Sequence, residues 1–413
     1  MTEDGSSRAA DDASASLGHP IWFDSAMERA DRIVTVPFAL TFASALGVFF
    51  AIGMLLPVLP VYARGPLETG DLGVGLAVGM SSPTALAFQP LAGRFGDRRG
   101  RRPLIVVGSL VMAVAIAGYT AAATLPVLVA LRLLTGVGEA LVFVGTGTVV
   151  ADLAPAARRG EALSIYTIGF WSGLAIGPLV GEVILGDDRF DAVWLVAAAC
   201  ALLAAVAGFA LPETRPETAG PSSGKLLHPA ALRPGLVLVA AVLGFAGFNA
   251  FVALYARQLG LDGAGAVFFV FAAIIVTIRI VGRRIPDRLG PKRASGLALV
   301  LLAAGLAVIG LWNSELGLFA GTAVFATGQA LAFPSLMTLV VADAPVADRG
   351  SVVGTFTAFA DVGFAIGAIS LGAVAEAAGY DGVFLASAVA SLAGLALLSR
   401  IPTPLPVRVA QAS

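Results

Sequence analysis

The 413-residue chain is 58% apolar and only 13% charged, with a mean hydropathy of +0.90, where a soluble domain carries about 25% charged residues. Its formal net charge of −1 conceals clustering: Ile33 to Ala63 and Pro103 to Leu131 carry no charge at all, which excludes an ordinary soluble globular protein. Cys200 stands alone in an apolar run, and His19 and His228 lie far apart in polar segments, so no disulfide framework, metal centre or cofactor is expected.

Residues 1–36 are rich in Ala, Ser, Asp and Glu and are expected to form a disordered cytoplasmic tail, with a short surface helix around Ser25 to Arg32. Thr2-Glu3-Asp4 supplies neither the basic start nor the apolar region of a signal peptide, so the first span is expected to be permanent. Crossing the hydrocarbon core takes roughly 20 apolar residues. Runs of that length predict spans at 37–61, 73–93, 103–124, 127–150, 161–184 and 192–211. A polar linker at 212–233 precedes spans at 234–256, 265–283, 294–312, 317–341, 352–375 and 383–400, and residues 401–413 form a cytoplasmic tail. The expected fold is all-α and membrane-integral, with twelve helices. Of the 26 Lys and Arg residues, Arg64, Arg189 and Arg257 fall outside and Arg132 and Arg279 within spans, leaving 21 on the side of the N-terminus. Positive residues stay in the cytoplasm, so both termini are expected there, with the protein in the plasma membrane.

The chain also repeats itself. Gly93-Arg94-Phe95-Gly96-Asp97-Arg98-Arg99-Gly100-Arg101-Arg102 returns in looser form as Asp287-Arg288-Leu289-Gly290-Pro291-Lys292-Arg293, 190 residues later. Arg159-Gly160 returns as Arg349-Gly350, and Gly173 and Gly177 return as Gly363 and Gly367. One offset for three segments marks two related bundles, 37–211 and 234–400, inserted in the same direction as a parallel repeat. The second basic copy is degenerate, with Arg283 at the repeat position of Gly93 and Gly282 one residue too far from Asp287.

Within the spans, polar residues are few. Arg132 and Glu139 share one face of span 4, about 10.5 Å apart along its axis, too far for a simple ion pair. Charges at mid-membrane are costly and usually face a cavity, and a carboxyl group withdrawn from water holds its proton more readily. Glu139 is therefore a candidate for loading and releasing a proton, with Gln329 as its repeat partner in span 10. Gly169, Gly173, Gly177 and Gly181 recur every four residues in span 5, with Pro178 among them; small residues at this interval admit a close helix neighbour, and proline bends the helix. Asn249 is a lone amide in span 7, suited to cavity lining or to an interhelical hydrogen bond. Arg279 is expected to snorkel to the interface. Asp361 lies near mid-membrane in span 11, with Trp171 at the equivalent place in span 5; it is a candidate second protonatable site or a partner for a basic residue. Pro57 and Pro60 predict a kink near the outer end of span 1.

Gly93-x-x-x-Asp97-Arg98-x-Gly100-x-Arg102 resembles the loop between helices 2 and 3 of twelve-helix transporters of the major facilitator superfamily, and the likeness extends from residue 37 to 400. Gly173-x-x-x-Gly177-Pro178-x-x-Gly181 is similar to the helix-5 signature of the family's drug and metabolite antiporters, although Glu182 replaces its usual final glycine. Pro212-Glu213-Thr214-Arg215 after span 6 also resembles the family. The resemblance implies two six-helix bundles rocking around a central cavity lined by helices 1, 4, 7 and 10, which would set Glu139 and Gln329 across it from each other. It implies that Gly93, Asp97, Arg98, Gly100, Arg101 and Arg102, with Asp287, Arg288 and Gly290 in the second copy, gate the cytoplasmic side. Arg132 sits where the family has an arginine tied to proton coupling, and a monomer is implied.

These residues predict a proton-coupled antiporter that exports a small organic or drug-like compound by alternating access, with the bilayer, protons and that solute as partners. No nucleic-acid partner is expected. No Gly-x-x-x-x-Gly-Lys-Ser/Thr motif and no soluble domain are present to use ATP, so the energy must come from a gradient. Nor are His, Cys or acidic residues clustered as an enzyme would require. The alternatives are a proton-coupled uptake symporter for sugars or organic acids, and a membrane sensor that has lost transport.

Overall fold

The computed structural model describes residues 33–155, 158–214, 228–281, 288–342 and 349–401. The helices are α1 (Val36–Arg64), α2 (Asp71–Gly79), α3 (Ser81–Arg99), α4 (Arg102–Ala117), α5 (Leu125–Leu153), α6 (Arg159–Leu185), α7 (Phe190–Phe209), α8 (Pro229–Gln258), α9 (Gly265–Val281), α10 (Pro291–Leu311), α11 (Glu315–Ala342) and α12 (Arg349–Ser399). Among the described residues no strand occurs, and nine helices are long and apolar enough to cross a membrane, with α9 a shorter apolar helix. The predicted surface helix at Ser25 to Arg32, most of the linker, the last residues and Asp287 lie outside the described residues.

Start signals explain where many helices begin. Pro37, Pro103, Pro126, Pro229 and Pro291 occupy first turns, where the missing N–H has no intrahelical acceptor in any case. Two expected spans take a different form. Span 2 is broken at Met80 into α2 and α3, because Pro83 lacks the N–H that would bond back to the Gly79 carbonyl. Spans 11 and 12 run together as α12 through a sharp bend at Gly379, whose φ of 69° suits a residue without Cβ. Counting the broken pair once and α12 twice, the twelve expected spans are all present. Pro57 and Pro60 lie inside α1, which is assigned as one helix throughout.

Lipid tails are as apolar as leucine, so helices associate through close packing and internal hydrogen bonds. The glycine stripe of α6 does this against α1: a Cβ on Gly173 would meet Phe50 and Phe49, one on Gly177 would lie 2.7 Å from the Gly53 Cα, and one on Gly181 would press on Met54. The repeat reproduces the crossing, with Gly363 against Val239 and Gly367 against Leu243 of α8. The same glycines therefore make the same joint in both bundles, α6 on α1 and α12 on α8. Gly177→Val is expected to cost about 1–3 kcal/mol by overpacking, read as a lower thermal midpoint in detergent. Gly147→Ala, at an open helical site, should instead raise it slightly, since alanine is the better helix former.

Aromatic residues fill the layers between these joints. Trp194 is fully buried among Tyr62, Tyr119 and Phe190 in the first bundle, while Phe248, Phe271 and Phe325 form a triangle in the second. Outward-facing Val114, Leu203 and Val206 are exposed, as a lipid-facing surface requires.

Candidate functional site

The basic turn forms at the end of α3. Gly100 caps that helix with φ 97°, and a Cβ there would collide with the Glu213 carboxyl group. Glu213 accepts hydrogen bonds from the N–H groups of Arg101 (2.6 Å) and Arg102 (3.4 Å) at the start of α4. A carboxylate is stabilised there by otherwise unpaired donors and the helix dipole. Arg101 is buried, pairing with Asp97 at 3.0 Å and with Asp152 of α5 at 3.3 Å. Asp97 is thus engaged within its own bundle, while Arg94, Arg98 and Arg99 are exposed. In the second copy Gly290 caps the corresponding turn with φ 79°, and Arg288 is exposed. Gly282, Arg283 and Asp287 lie outside the described residues.

At mid-depth the two bundles meet through side chains. Asp361 of α12 accepts a hydrogen bond from Gln89 Nε2 of α3 at 3.0 Å. Another acid within a span, Glu139, lies on α5 of the first bundle. Both are partly exposed, as is Phe143, one turn beyond Glu139, although its ring meets Phe49 and Phe170. Trp171 continues the aromatic wall at 5.1 Å from Phe170 and carries the Arg279 guanidinium 4.5 Å above its ring. Arg279 thus reaches across to the other bundle, which corrects the expectation that it snorkels to the interface.

Arg132 is buried and bonded at three points. Its Nε donates to the Ala77 carbonyl (2.8 Å), and its Nη2 donates to the Val78 carbonyl and the Ser81 hydroxyl (both 2.9 Å). These acceptors flank the break in span 2, so the guanidinium takes up carbonyls that the interrupted helix releases. Asn249 is buried, its amide nitrogen donating to the Phe245 carbonyl of its own helix and its Oδ1 unpaired. Gln329 also has an unpaired Oε1.

The far end, opposite the basic turns, is closed. Glu376 at the end of span 11 accepts from the Leu72 N–H at the start of α2 (3.2 Å), and Tyr380 donates to Asp71 Oδ1 (3.2 Å). On the other seam, Glu182 at the end of α6 accepts from the N–H groups of Ala264 and Gly265 at the start of α9. Each bundle therefore offers one carboxylate to a helix N-terminus of the other. Between the two clasps the backbones nearly touch: a Cβ on Gly75 would strike the Ala368 carbonyl, and one on Gly372 would lie 2.8 Å from the Asp71 carbonyl. Sequence reasoning missed Gln89, Glu376 and Asp71, and treated Glu182 as a blemish in a glycine pattern. Gln89 was within reach, since it sits 190 residues before Arg279 and both are polar interruptions of apolar spans.

Two bundles of membrane-length helices, clasped at one end and joined at mid-depth by the Gln89–Asp361 bond, are built as a membrane transporter is. The Major Facilitator Superfamily profile matches residues 41–339 and 284–413. Among curated relatives, a Burkholderia mallei MFS-type transporter is 31% identical over 84% of this chain and 88% of its own length, and one from Salmonella typhimurium is 29% identical over 85% and 92%. YhhS of Escherichia coli, also an MFS-type transporter, is 26% identical over 92% and 95%. Among solved structures, the nucleoside transporter NupG superposes with a TM-score of 0.71 at 16% identity, over 89% of this chain and 100% of its own. The inward-facing, occupied form of a bacterial homolog to the human lysosomal transporter Spinster gives 0.73 at 14% identity, over 92% and 97%. The chain belongs to the major facilitator superfamily. It is a multi-pass transporter of small molecules and not an enzyme.

Proposed function

We propose that the protein is a proton-coupled antiporter that exports a small organic compound. The observation that carries this reading is the hydrogen bond that Asp361 accepts from Gln89 across the seam between the bundles, with a second partly exposed intramembrane acid, Glu139, on α5. A proton arriving from outside neutralises one of these acids. Neutralisation changes what the seam can hold together, and solute loading from the inside then displaces the proton. The basic turns lie on the cytoplasmic face, where positive residues accumulate, and the clasped end faces outward from the plasma membrane. With the outer end clasped, solute loads from the cytoplasm, as an exporter requires. Asn249 and Gln329, whose unpaired amide oxygens are buried in this conformation, become acceptors for the solute only when the helices around them move, and the loop around Asp97 holds or releases the inner gate. Arg132 serves by fixing the break in span 2 beside Glu139. The transporter works as a monomer, since each bundle finds its partner within the chain.

The test uses everted membrane vesicles carrying an imposed pH gradient, to which a panel of organic solutes is added one at a time. A transported solute should dissipate the gradient in wild type. Asp361→Asn and Glu139→Gln should lower that response about tenfold or more, equivalent to about 1.4 kcal/mol at the coupling step. Full dissipation in both variants would remove these acids from the mechanism. Solute accumulation driven in the same direction as the protons would replace antiport by symport.

A further inference from the structure

Trp171 and Asp361 are related by the 190-residue offset, and so are Gln89 and Arg279. The two mid-depth contacts between the bundles are therefore one contact in duplicate. On one seam it is a hydrogen bond, Gln89 to Asp361; on the other it is a guanidinium stacked on a ring, Arg279 over Trp171. The duplicates differ in how well they are satisfied. Asp361 has an amide donor. Arg279 has no carboxylate or carbonyl acceptor among the described residues, and its buried Nε lacks a hydrogen-bond partner.

Its direction follows from the helix. Phe268, Phe271, Ile275 and Arg279 recur at three- and four-residue intervals, and the first three are buried. The rings of Phe268 and Phe271 pack on Phe248 of α8, and Phe271 also on Phe325 of α11. The stripe that ends in Arg279 thus faces the protein interior rather than lipid. Holding a cation away from water inside a span is costly, and stacking on an aromatic face returns only part of that cost. Stacking alone leaves the charge uncompensated, and an anion would complete it. Trp171 covers one face of the guanidinium; the in-plane fork of N–H donors remains, with the geometry that grips a carboxylate or phosphate at two points. Beside it the wall is aromatic, Trp171 against Phe170 and Phe170 against Phe49 and Phe143.

We infer that Arg279, seated on Trp171, receives the anionic group of the transported solute, and that this solute is a small organic acid carrying a carboxylate or phosphate on an apolar or aromatic body. The inference rests on the exporter reading above and names its solute class.

The test uses the purified full-length protein in detergent, with benzoate and phenyl phosphate as probes and benzyl alcohol and benzylamine as neutral and cationic counterparts. Tryptophan fluorescence and thermal midpoint are followed as each probe is added. At least one anion should bind wild type saturably, with Trp171→Phe abolishing the fluorescence change. Arg279→Gln should weaken binding about ten- to hundredfold, the range expected for losing hydrogen bonds to a charged group, and Arg279→Lys should fall between. Proton coupling is read separately, from the vesicle pH gradient in the Glu139→Gln and Asp361→Asn variants. Anion binding is read here from wild type and the Arg279 variants, so failure of proton coupling and failure of this inference are told apart. The inference is overturned if neither anion binds wild type, if benzyl alcohol binds as well as benzoate, or if Arg279→Gln or Arg279→Lys binds the anions unchanged. A lipid headgroup is the other source of the same chemistry. If wild type binds the anions no better than Arg279→Gln in phosphatidylcholine nanodiscs, and only phosphatidylglycerol gives an Arg279-dependent stabilisation, the assignment to a dissolved solute is wrong.

Discussion

Replacing both Glu182 and Glu376 by alanine is expected to part the two bundles at the end opposite the basic turns. Each carboxylate accepts from backbone N–H groups at the first turn of a helix in the other bundle. Hydrogen bonds to a charged group contribute about 1.5–3 kcal/mol, and a negative charge at a helix N-terminus adds about 0.3–1 kcal/mol. Inverting an equilibrium from 1:99 to 99:1 takes about 5.5 kcal/mol, which is the scale of both clasps together. The double variant should therefore change the dominant conformation, and either single variant only its balance. The glycine contacts at Gly75 and Gly372 remain in every variant and limit the effect of one lost clasp. Spin labels at Thr120 and Leu316, both exposed near the clasped end, report the separation in a Cys200→Ser background. A longer distance in the double variant is expected; an unchanged one would show that the glycine packing holds the end shut alone.

The second large effect concerns Arg132. Substituting leucine removes a buried charge, which by itself relieves about 2.5–3.5 kcal/mol. It also removes three hydrogen bonds to Ala77, Val78 and Ser81, each worth about 1.5–3 kcal/mol when the donor is charged. Two carbonyls are left unpaired at the break in span 2, at a further cost of about 1–3 kcal/mol each. The losses win, and Arg132→Leu should unfold at a markedly lower temperature in detergent. Arg132→Lys keeps the charge but not the planar fork, and should fall between the two. A thermal midpoint equal to wild type would mean that Ala77 and Val78 find other donors.

The spans could be read from the sequence because hydrophobic length and charge clustering are local properties of the chain, and the 190-residue offset fixed the duplication without any structure. The Gly173 and Gly177 stripe was legible as a close-packing surface, though its neighbour proved to be α1. What escaped was contact between bundles. Glu182 reads as an interruption of a glycine pattern until the start of α9 is seen against it. Arg132 reads as a cavity charge until the carbonyls released at Met80 are found beside it, and the break itself depends on a single proline. Arg279 reads as an interfacial anchor because its distance along the helix says nothing about Trp171 on the other bundle. Each miss involves a partner more than fifty residues away.

The most direct test of coupled alternating access measures both ends of one molecule as pH is lowered. One label pair sits at Thr120 and Leu316, the other at the exposed Arg99 and Arg293 beside the two basic turns. The account predicts reciprocal changes in wild type, one distance lengthening as the other shortens, and no pH response in the Glu139→Gln, Asp361→Asn double variant. Distances that change together, or a full pH response in the double variant, would contradict it.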